Sequence, residues 1–331
     1  MIINVNDISK SFKAFHREAG LKGAINSFFK RNYKNFTVLD KINLQVNEGE
    51  IIGVLGENGA GKTTLIKLMV GLLHPDNGSI KIDGYNPWER NYTFLSNISV
   101  VMGQKNQLWW DIPASESFLL NKHIYNLDDS DYNATLEELI DYLDVKDKIN
   151  IQVRRLSLGE RMKMEIIAAL LHKPKIILLD EPTLGLDVIS QAKIREFVKH
   201  YNQLYKTTFV ITSHYTKDIQ EMCKRVFVLN KGRAIYDGNF KSLIRNINPK
   251  RKLIFEFLET PDDNYIKEID KKFEIKINKK ILTAALPESD LQELLKLLLK
   301  DHSANNINFE DLPVDDTLRN FFQNPDKYIT I

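Results

Sequence analysis

The sequence predicts an α/β fold with a mostly parallel, covered β-sheet, followed by a small α+β domain. Short apolar segments such as EIIGVLGE, KIILLDEP and TTFVITSH alternate with segments of helical spacing such as KTTLIKLMVGLL. That alternation is typical of parallel strands joined by helices. After about residue 244 the composition changes, and the order becomes strand, helix, strand, strand, helix, strand and short helix. This second order predicts a ferredoxin-like arrangement.

The length of 331 residues allows two or three compact units. We place the first domain at 1–243 and the second at 244–331, with NINPKRK as the junction between them. Within the first domain, the polar and helix-rich stretch from about 106 to 168 contains no strand signals. We therefore expect it to form a helical subdomain that interrupts the sheet.

A basic insertion of about residues 14–36 separates the first strand from the strand TVLDKINL. Leu21, Ile25, Phe28 and Phe29 share one helical face, and residues 13–36 contain six Lys or Arg and one Glu. The pattern predicts a basic amphipathic helix. Such a helix can lie on a membrane surface, and it can also dock on its own sheet or on a partner protein.

Composition excludes several classes of protein. A net charge of +2 is too small for a protein that binds nucleic acid in bulk, so no nucleic acid is expected as a partner. No apolar run approaches the roughly 18 to 20 residues that span a bilayer, and the N-terminus lacks a signal-peptide pattern. The single cysteine, Cys223, excludes a disulfide framework and is expected to be a small buried hydrophobic residue.

The segment GENGAGKTT has the spacing of a phosphate-binding P-loop. It follows an apolar strand and opens a helix, so backbone N–H groups and the helix dipole can point at phosphate oxygens. We expect Lys62 to supply charge to the terminal phosphates and the Thr63 hydroxyl to bind Mg²⁺. The candidate ATP-binding residues are Gly56, Asn58, Gly59, Ala60, Gly61, Lys62, Thr63 and Thr64.

The segment IILLDEP supplies two acids at the end of a buried strand. In a P-loop enzyme the first acid, Asp180, is expected to hold Mg²⁺ through water. The second, Glu181, is positioned to orient and deprotonate an attacking water. Alone this motif is weak, but together with the P-loop it predicts a P-loop NTPase (RecA-like) core that uses ATP and Mg²⁺.

With these motifs, residues 1 to about 243 resemble the ATP-binding subunit of ABC transporters. The basic insertion, VMGQKNQLWWD, LSLGER and EPTLGLDV together resemble a bacterial multidrug-type export subfamily with separate permease chains. The resemblance implies antiparallel strands beside the RecA-like core. It implies that Gln104, in VVMGQKNQL, touches Mg²⁺ and the water, with Gln107 as a nearby competitor for that role. It also implies a D-loop at Asp187, in TLGLD, and a catalytic switch at His214, in VITSHY.

An aromatic residue that stacks on adenine is also implied by the resemblance. Phe12, in ISKSF, occupies the expected position. Because the chain leaves the usual pattern just after it, Tyr33 or Phe36 could stack on adenine instead.

The segment LSLGE, at residues 156–160, matches the signature motif of that family. The residues themselves predict a capping box, with Ser157 capping a helix and Glu160 bonding back. The resemblance implies that Ser157, Leu158, Gly159 and Glu160 close over ATP held by a second copy of the chain, so that a homodimer forms around two nucleotides. The family's usual sequence is LSGGQ, and the charge of Glu160 near a triphosphate could weaken closure.

Transport is the function that the resemblance implies, with ATP hydrolysis driving an exporter from the cytoplasmic side of the cell membrane. The protein would bind integral-membrane permease subunits peripherally. Trp109 and Trp110 lie near the family's permease-coupling groove, and they suit either an exposed interface or the core of the helical subdomain. The alternative is a soluble ABC ATPase acting on a ribosome, nucleic acid or protein partner. A nucleotide-binding regulator without turnover is disfavoured by Glu181 and His214.

Overall fold

The computed structural model describes residues 1–15, 33–103, 106–311, 314–323 and 325. The chain divides into two compact units, Met1–Phe240 and Lys241–Ile331. The division lies close to the boundary expected after residue 243.

The first unit contains two sheets. An antiparallel sheet has the order β2-β1-β4, and a six-stranded sheet has the order β5-β6-β7-β3-β8-β9. All neighbours in the larger sheet are parallel except β8 and β9, which confirms a mostly parallel core with additional antiparallel strands. The strands are β1 (Ile3–Phe15), β2 (Tyr33–Val46), β3 (Ile51–Leu55), β4 (Asn77–Ile82), β5 (Ile98–Met102), β6 (Ile176–Asp180), β7 (Thr208–Ser213), β8 (Arg225–Asn230) and β9 (Arg233–Asn239).

The helices described in this unit include some that connect the parallel strands and a group in the stretch predicted to be a helical subdomain, which stays a prediction. The helices of that group run from Ala114 to Leu170, close to the expected stretch of about 106 to 168. The helices are α1 (Lys62–Met69), α2 (Tyr92–Asn97), α3 (Ala114–Ile124), α4 (Asp129–Leu143), α5 (Leu158–Leu170), α6 (Val188–Tyr205) and α7 (Thr216–Met222), with 3₁₀ turns at Pro87–Glu89 and Val153–Arg155.

Burial explains why β6 and β7 read as continuous apolar runs. Every residue of both strands is buried, as expected for strands inside a covered parallel sheet. One hydrophobic cluster joins the two sheets and α1, so that the helix following the P-loop is packed on its inner side. Cys223 is buried, as expected.

The basic insertion begins later and ends earlier than predicted. Residues 14–15 belong to β1 and residues 33–36 belong to β2, and the two strands pair antiparallel as far as Phe15 opposite Tyr33. Helical spacing was therefore the wrong interpretation at both ends, because cross-strand pairing there extends the ladder. The predicted helix itself falls on residues 16–32, which lie outside the described part of the chain.

The second unit has the predicted ferredoxin-like topology. Its four-stranded sheet has the order β11-β12-β10-β13 with antiparallel neighbours, and two helices cross between split strand pairs. Apolar residues of β10 and α10 form its core. The elements are α8 (Phe240–Ile247), β10 (Lys250–Phe257), α9 (Asp263–Phe273), β11 (Lys276–Asn278), β12 (Ile281–Pro287), α10 (Glu288–Asp301), β13 (Ala304–Asp311) and α11 (Val314–Gln323).

None of the helices within the described ranges has the combination of length and apolar character needed to cross a membrane.

His172, just after α5, makes the stability of the first unit depend on pH. Its ring stacks on Tyr125 with 3.7 Å between centroids, and both ring nitrogens are shielded from solvent. Burial lowers the pKa of His172 to about 4, below the roughly 6.5 expected in the unfolded chain. The unfolded state therefore binds the extra proton first, and stability is lost as the pH falls from about 6.5 towards 4.

We expect acidification from about pH 7.5 to about pH 5.5 to remove about 1.4 kcal/mol of unfolding free energy through this residue. The measurement is urea unfolding at both pH values for wild type and for His172→Phe, which keeps a ring against Tyr125 and cannot titrate. An identical pH dependence in both proteins would contradict the assignment.

Candidate nucleotide-binding site

The P-loop lies between β3 and α1, as its motif requires. Gly61 is the N-cap of α1 and has φ of +108°, a conformation that residues with a side chain rarely adopt. A Cβ atom at this position would lie 2.5 Å from Leu39 Cδ2 and 2.9 Å from the carbonyl oxygen of Val38. Glycine is required here both by the backbone angle and by the close approach of β2.

Lys62 is held inside the curve of this loop, with only 6% of the residue exposed. Its ammonium group donates to the Gly56 carbonyl at 2.7 Å and to the Glu57 carbonyl at 3.3 Å. The same nitrogen lies 3.2 Å from Glu181 Oε1. A buried ammonium with these partners is fixed as a point of positive charge at the mouth of the phosphate loop.

Asp180, the last residue of β6, accepts hydrogen bonds on both carboxylate oxygens. The Thr63 hydroxyl donates to Oδ2 at 2.8 Å, and the Thr212 hydroxyl of β7 donates to Oδ1 at 2.5 Å. The structure thus brings Asp180 to the start of α1 across the intervening strand β7. Thr212 was not predicted, and its place in VITSH, two residues before His214, is the signal that could have indicated it.

Glu181 has a strained backbone with φ of +54°. Its N–H donates to the carbonyl and the hydroxyl of Thr212, at 3.1 and 3.0 Å. Its Oε2 lies 2.6 Å from His214 Nδ1. The acid and the histidine are therefore paired, and the acid is also in contact with Lys62 through its other oxygen.

These groups face one cleft of about 440 Å³. The cleft brings together most of the predicted ATP-binding and catalytic residues. Val38, Lys67, Met102 and Leu184 also line it and were not predicted, because nothing in their local sequence distinguishes them from ordinary core or surface residues. The predicted residues that line it are Asn58, Gly59, Ala60, Gly61, Lys62, Thr63, Thr64, Asp180, Glu181 and His214.

The oxygen atoms of Thr63 and Asp180 fit the ligand chemistry of Mg²⁺. A hydroxyl and a carboxylate lie in contact at the edge of the phosphate loop, and Mg²⁺ prefers oxygen ligands, with substrate phosphates and water completing its shell. No cluster of three or more His, Cys, Asp or Glu suited to a metal occurs among the residues that the structure describes. A site built from few protein ligands and a phosphate substrate is what this donor set provides.

The signature segment forms the predicted capping box at the start of α5. The Ser157 N–H donates to Glu160 Oε2 at 2.9 Å, and the Glu160 N–H donates to Ser157 Oγ at 3.2 Å. The bond from the Ser157 N–H, followed by the Ser157 side chain and by Lys148 at 3.5 Å, lowers the pKa of the Glu160 carboxyl. The Glu160 carboxylate points back to its own helix start and pairs with Lys148. Its charge should therefore oppose a nearby triphosphate less than the sequence suggested.

Gly159 is buried against the start of α6. A Cβ atom at this position would lie 2.3 Å from Ser190 Oγ and 2.8 Å from Ser190 Cβ. Asp187 caps α6 by accepting from the Ser190 hydroxyl at 2.6 Å and from the Ser190 N–H at 2.9 Å, which lowers the pKa of Asp187. The signature and D-loop segments are therefore packed together, and none of Ser157, Leu158, Gly159, Glu160 or Asp187 lines the cleft.

The structure does not place Phe12 or Gln104 in the cleft, for different reasons. Phe12 is 39% exposed, is paired with Phe36 across β1 and β2, and does not line the cleft. Its assignment to adenine stays a prediction. Gln104 lies outside the described residues, although the N–H of the preceding Gly103 donates to the Asp180 carbonyl at 2.9 Å.

Large apolar side chains are exposed on the helical subdomain near the end of β5. Trp109 is 62% exposed and Trp110 is 43% exposed, so their placement in the subdomain core was the wrong alternative. Arg161 lies over the Trp110 ring, 5.3 Å from its centroid. We use the name apolar patch for the exposed apolar residues of this stretch, Trp109, Trp110, Leu119, Leu120 and Ile124, of which Trp109 and Leu120 line the same pocket.

Comparison with known proteins agrees with this geometry. The profile of the family described as ABC transporter matches residues 39–184. The ABC transporter ATP-binding protein NatA of Bacillus subtilis (strain 168) is 35% identical over 202 residues, covering 61% of this chain and 82% of that protein. The Nod factor export ATP-binding protein I of Sinorhizobium fredii (strain NBRC 101917 / NGR234) is 31% identical over 214 residues, covering 65% of this chain and 62% of that protein.

A solved structure supports the fold. The dimeric post-hydrolysis state of the ATP-binding cassette MJ0796, bound to ADP and Pi, aligns with a TM-score of 0.59 at 22% identity, covering 72% of this chain and 98% of that one. Fold and cleft together define a P-loop ATPase. The chain belongs to the ABC transporter family, as an ATP-binding subunit. It binds nucleotide, and its ATP hydrolysis powers a membrane transporter.

Proposed function

We propose that two copies of this chain close around two molecules of ATP and thereby drive export through separate integral-membrane permease chains. The observation that carries this proposal is the contact of Glu181 with both His214 and Lys62 beside the P-loop. These three side chains provide a base, a polar group that orients it and a positive charge for a phosphate group. The protein would act at the cytoplasmic side of the cell membrane, bound to the permease rather than to lipid alone.

Hydrolysis needs a water in line with the bond to the terminal phosphate. Glu181 accepts a proton from that water, and His214 holds the Glu181 carboxylate by its 2.6 Å contact. Lys62 stabilises the charge that develops on the phosphate oxygens. Mg²⁺, when bound at Thr63 and Asp180, supplies further neutralisation of the phosphates.

The position of the signature segment supports closure of a dimer. Ser157 and Gly159 begin a capped helix whose N-terminus favours anions, yet they do not line the cleft of their own chain. A second copy related by two-fold symmetry can bring this helix start to the nucleotide of the first. The related cassette MJ0796 is described as dimeric, which supports the same assembly here.

The apolar patch supports a permease as the partner. Exposed tryptophans are enriched at protein interfaces, and this patch follows in sequence Gly103, whose N–H donates to the Asp180 carbonyl. Conformational changes at the hydrolytic site would be transmitted to a permease bound there. Export, rather than import, is supported by the relative named for Nod factor export.

The test is co-purification from membranes in mild detergent with ATP and Mg²⁺. We expect the tagged chain to recover one or two polytopic membrane proteins in stoichiometric amounts. Trp109→Glu should reduce that recovery about 10-fold or more, because it places a charge within an apolar contact.

The matched control is Phe309→Glu, which places the same charge on an exposed aromatic residue of the second unit, outside the apolar patch. Equal recovery by wild type and Trp109→Glu would contradict the docking surface. Recovery of wild type only in the soluble fraction would contradict the permease itself.

A further inference from the structure

A buried ion pair lies behind the hydrolytic residues. Arg195 of α6 and Asp218 of α7 are each no more than 3% exposed, and Arg195 Nη1 donates to Asp218 Oδ1 at 2.9 Å. The Nε atom of the same arginine donates to the half-exposed Glu221 at 2.7 Å. Charges are rarely buried this deeply unless each is paired and hydrogen-bonded, so the local fold must satisfy both.

The second oxygen of Asp218 accepts from two hydroxyl groups. Ser213 Oγ donates to Oδ2 at 3.1 Å, and Thr183 Oγ1 forms a short hydrogen bond to the same atom. Both residues are 1% exposed. One carboxylate therefore contacts the segment after β6, the end of β7 and, through Arg195, helix α6.

Two of these segments carry the proposed hydrolytic pair. Thr183 lies two residues after Glu181, and Ser213 directly precedes His214. Ser213 Oγ also accepts from the Tyr215 N–H at 2.9 Å, so a hydrogen bond spans the backbone of His214 between these two residues. The third segment is α6, which begins at the D-loop residue Asp187.

We propose that Asp218, held by Arg195, is a positioning residue that fixes the distance between Glu181 and His214. This inference rests on the proposed roles of those two residues. Asp218 touches neither the cleft nor the reacting atoms. Its two hydroxyl partners, Thr183 and Ser213, hold the chain just after Glu181 and just before His214. The 2.6 Å contact between Glu181 and His214 therefore depends on Asp218.

Loss of this anchor should affect turnover more than nucleotide binding. The P-loop lies outside the hydrogen-bond set of Asp218, so ATP affinity does not depend on it directly. A displacement of about 1 Å between base and histidine lowers turnover by roughly 100-fold. A purely structural role would instead lower thermal stability and leave the turnover per folded molecule unchanged.

The test compares Thr183→Val with Thr183→Ser. The first keeps the shape of the side chain without its hydroxyl, and the second keeps the hydroxyl. We expect kcat for ATP to fall about 10- to 100-fold in Thr183→Val with KM within about 2-fold, and to be largely retained in Thr183→Ser. Asp218→Asn should reproduce the loss if it folds, and Glu221→Gln, which alters the exposed arm of Arg195, should not.

Turnover is normalised to the fraction of protein that binds ATP. Equal kcat in Thr183→Val and Thr183→Ser overturns the proposal, as does a loss confined to KM or to thermal stability. The proposed roles of Glu181 and His214 are judged separately, by Glu181→Gln in an otherwise wild-type chain. Should that variant keep wild-type turnover, the proposed function fails, whatever the Thr183 variants do.

Discussion

Glu181→Gln should lower kcat for ATP hydrolysis by about 10²- to 10⁴-fold, the range that a general base contributes. The amide keeps the shape of the side chain and can still accept from Lys62, now 3.2 Å from Oε1. It cannot take a proton from water at neutral pH. Binding of ATP should therefore survive while turnover is lost.

The same variant should accumulate as an ATP-bound dimer, because closure is no longer followed by hydrolysis. Size-exclusion chromatography with and without ATP measures the shift in mass, and phosphate release measures turnover. Glu268→Gln, an exposed glutamate on α9, is the control for an identical chemical change elsewhere. Turnover at the wild-type rate in Glu181→Gln would remove that residue from the mechanism.

Lys62→Met should weaken ATP binding by about 10- to 100-fold, since a hydrogen bond to a charged group is worth about 1.5 to 3 kcal/mol. Methionine keeps the apolar stem that packs in the loop but cannot reach phosphate with a charge. The variant also leaves Glu181 without its cationic partner. Turnover should fall together with affinity, and no ATP-bound dimer should form.

Nucleotide affinity is measured by equilibrium binding of a fluorescent ATP analogue. Lys175→Met removes an exposed lysine paired with Asp83 and should change little, because surface ion pairs contribute little. The two site variants are thus separable. Glu181→Gln binds without turnover, and Lys62→Met loses both, so an unaltered affinity in Lys62→Met would contradict the phosphate contact.

The core of the site was predictable because each motif carries its own structural context. A glycine-rich loop between a buried strand and a helix leaves few alternatives, and the acids at the end of KIILLDEP reach the loop once the sheet is parallel. The ferredoxin-like order of the second unit was predictable for the same reason. Its strands and helices have distinct hydrophobic periods, and split strand pairs fix the order β11-β12-β10-β13.

Other features depend on tertiary packing that local sequence does not encode. The periodicity of residues 13–36 indicated a helix where the ends form strands, since pairing between β1 and β2 overrides local preference. The local sequence around Trp109 and Trp110 suits a core and an interface equally, so it could not show that these two side chains are exposed. Asp218 and Arg195 look like ordinary helix residues until α6 and α7 are packed together.

The absence of a side chain at Gly159 has a mechanical consequence. With no Cβ at this position, the first turn of α5 and Ser190 of α6 lie in direct contact. Arg195 lies roughly one and a half turns further along the same rigid helix. We expect a displacement of the signature segment to be transmitted along α6 to the Arg195–Asp218 pair. A methyl group at Gly159 would disturb the contact between α5 and Ser190 through which that displacement passes.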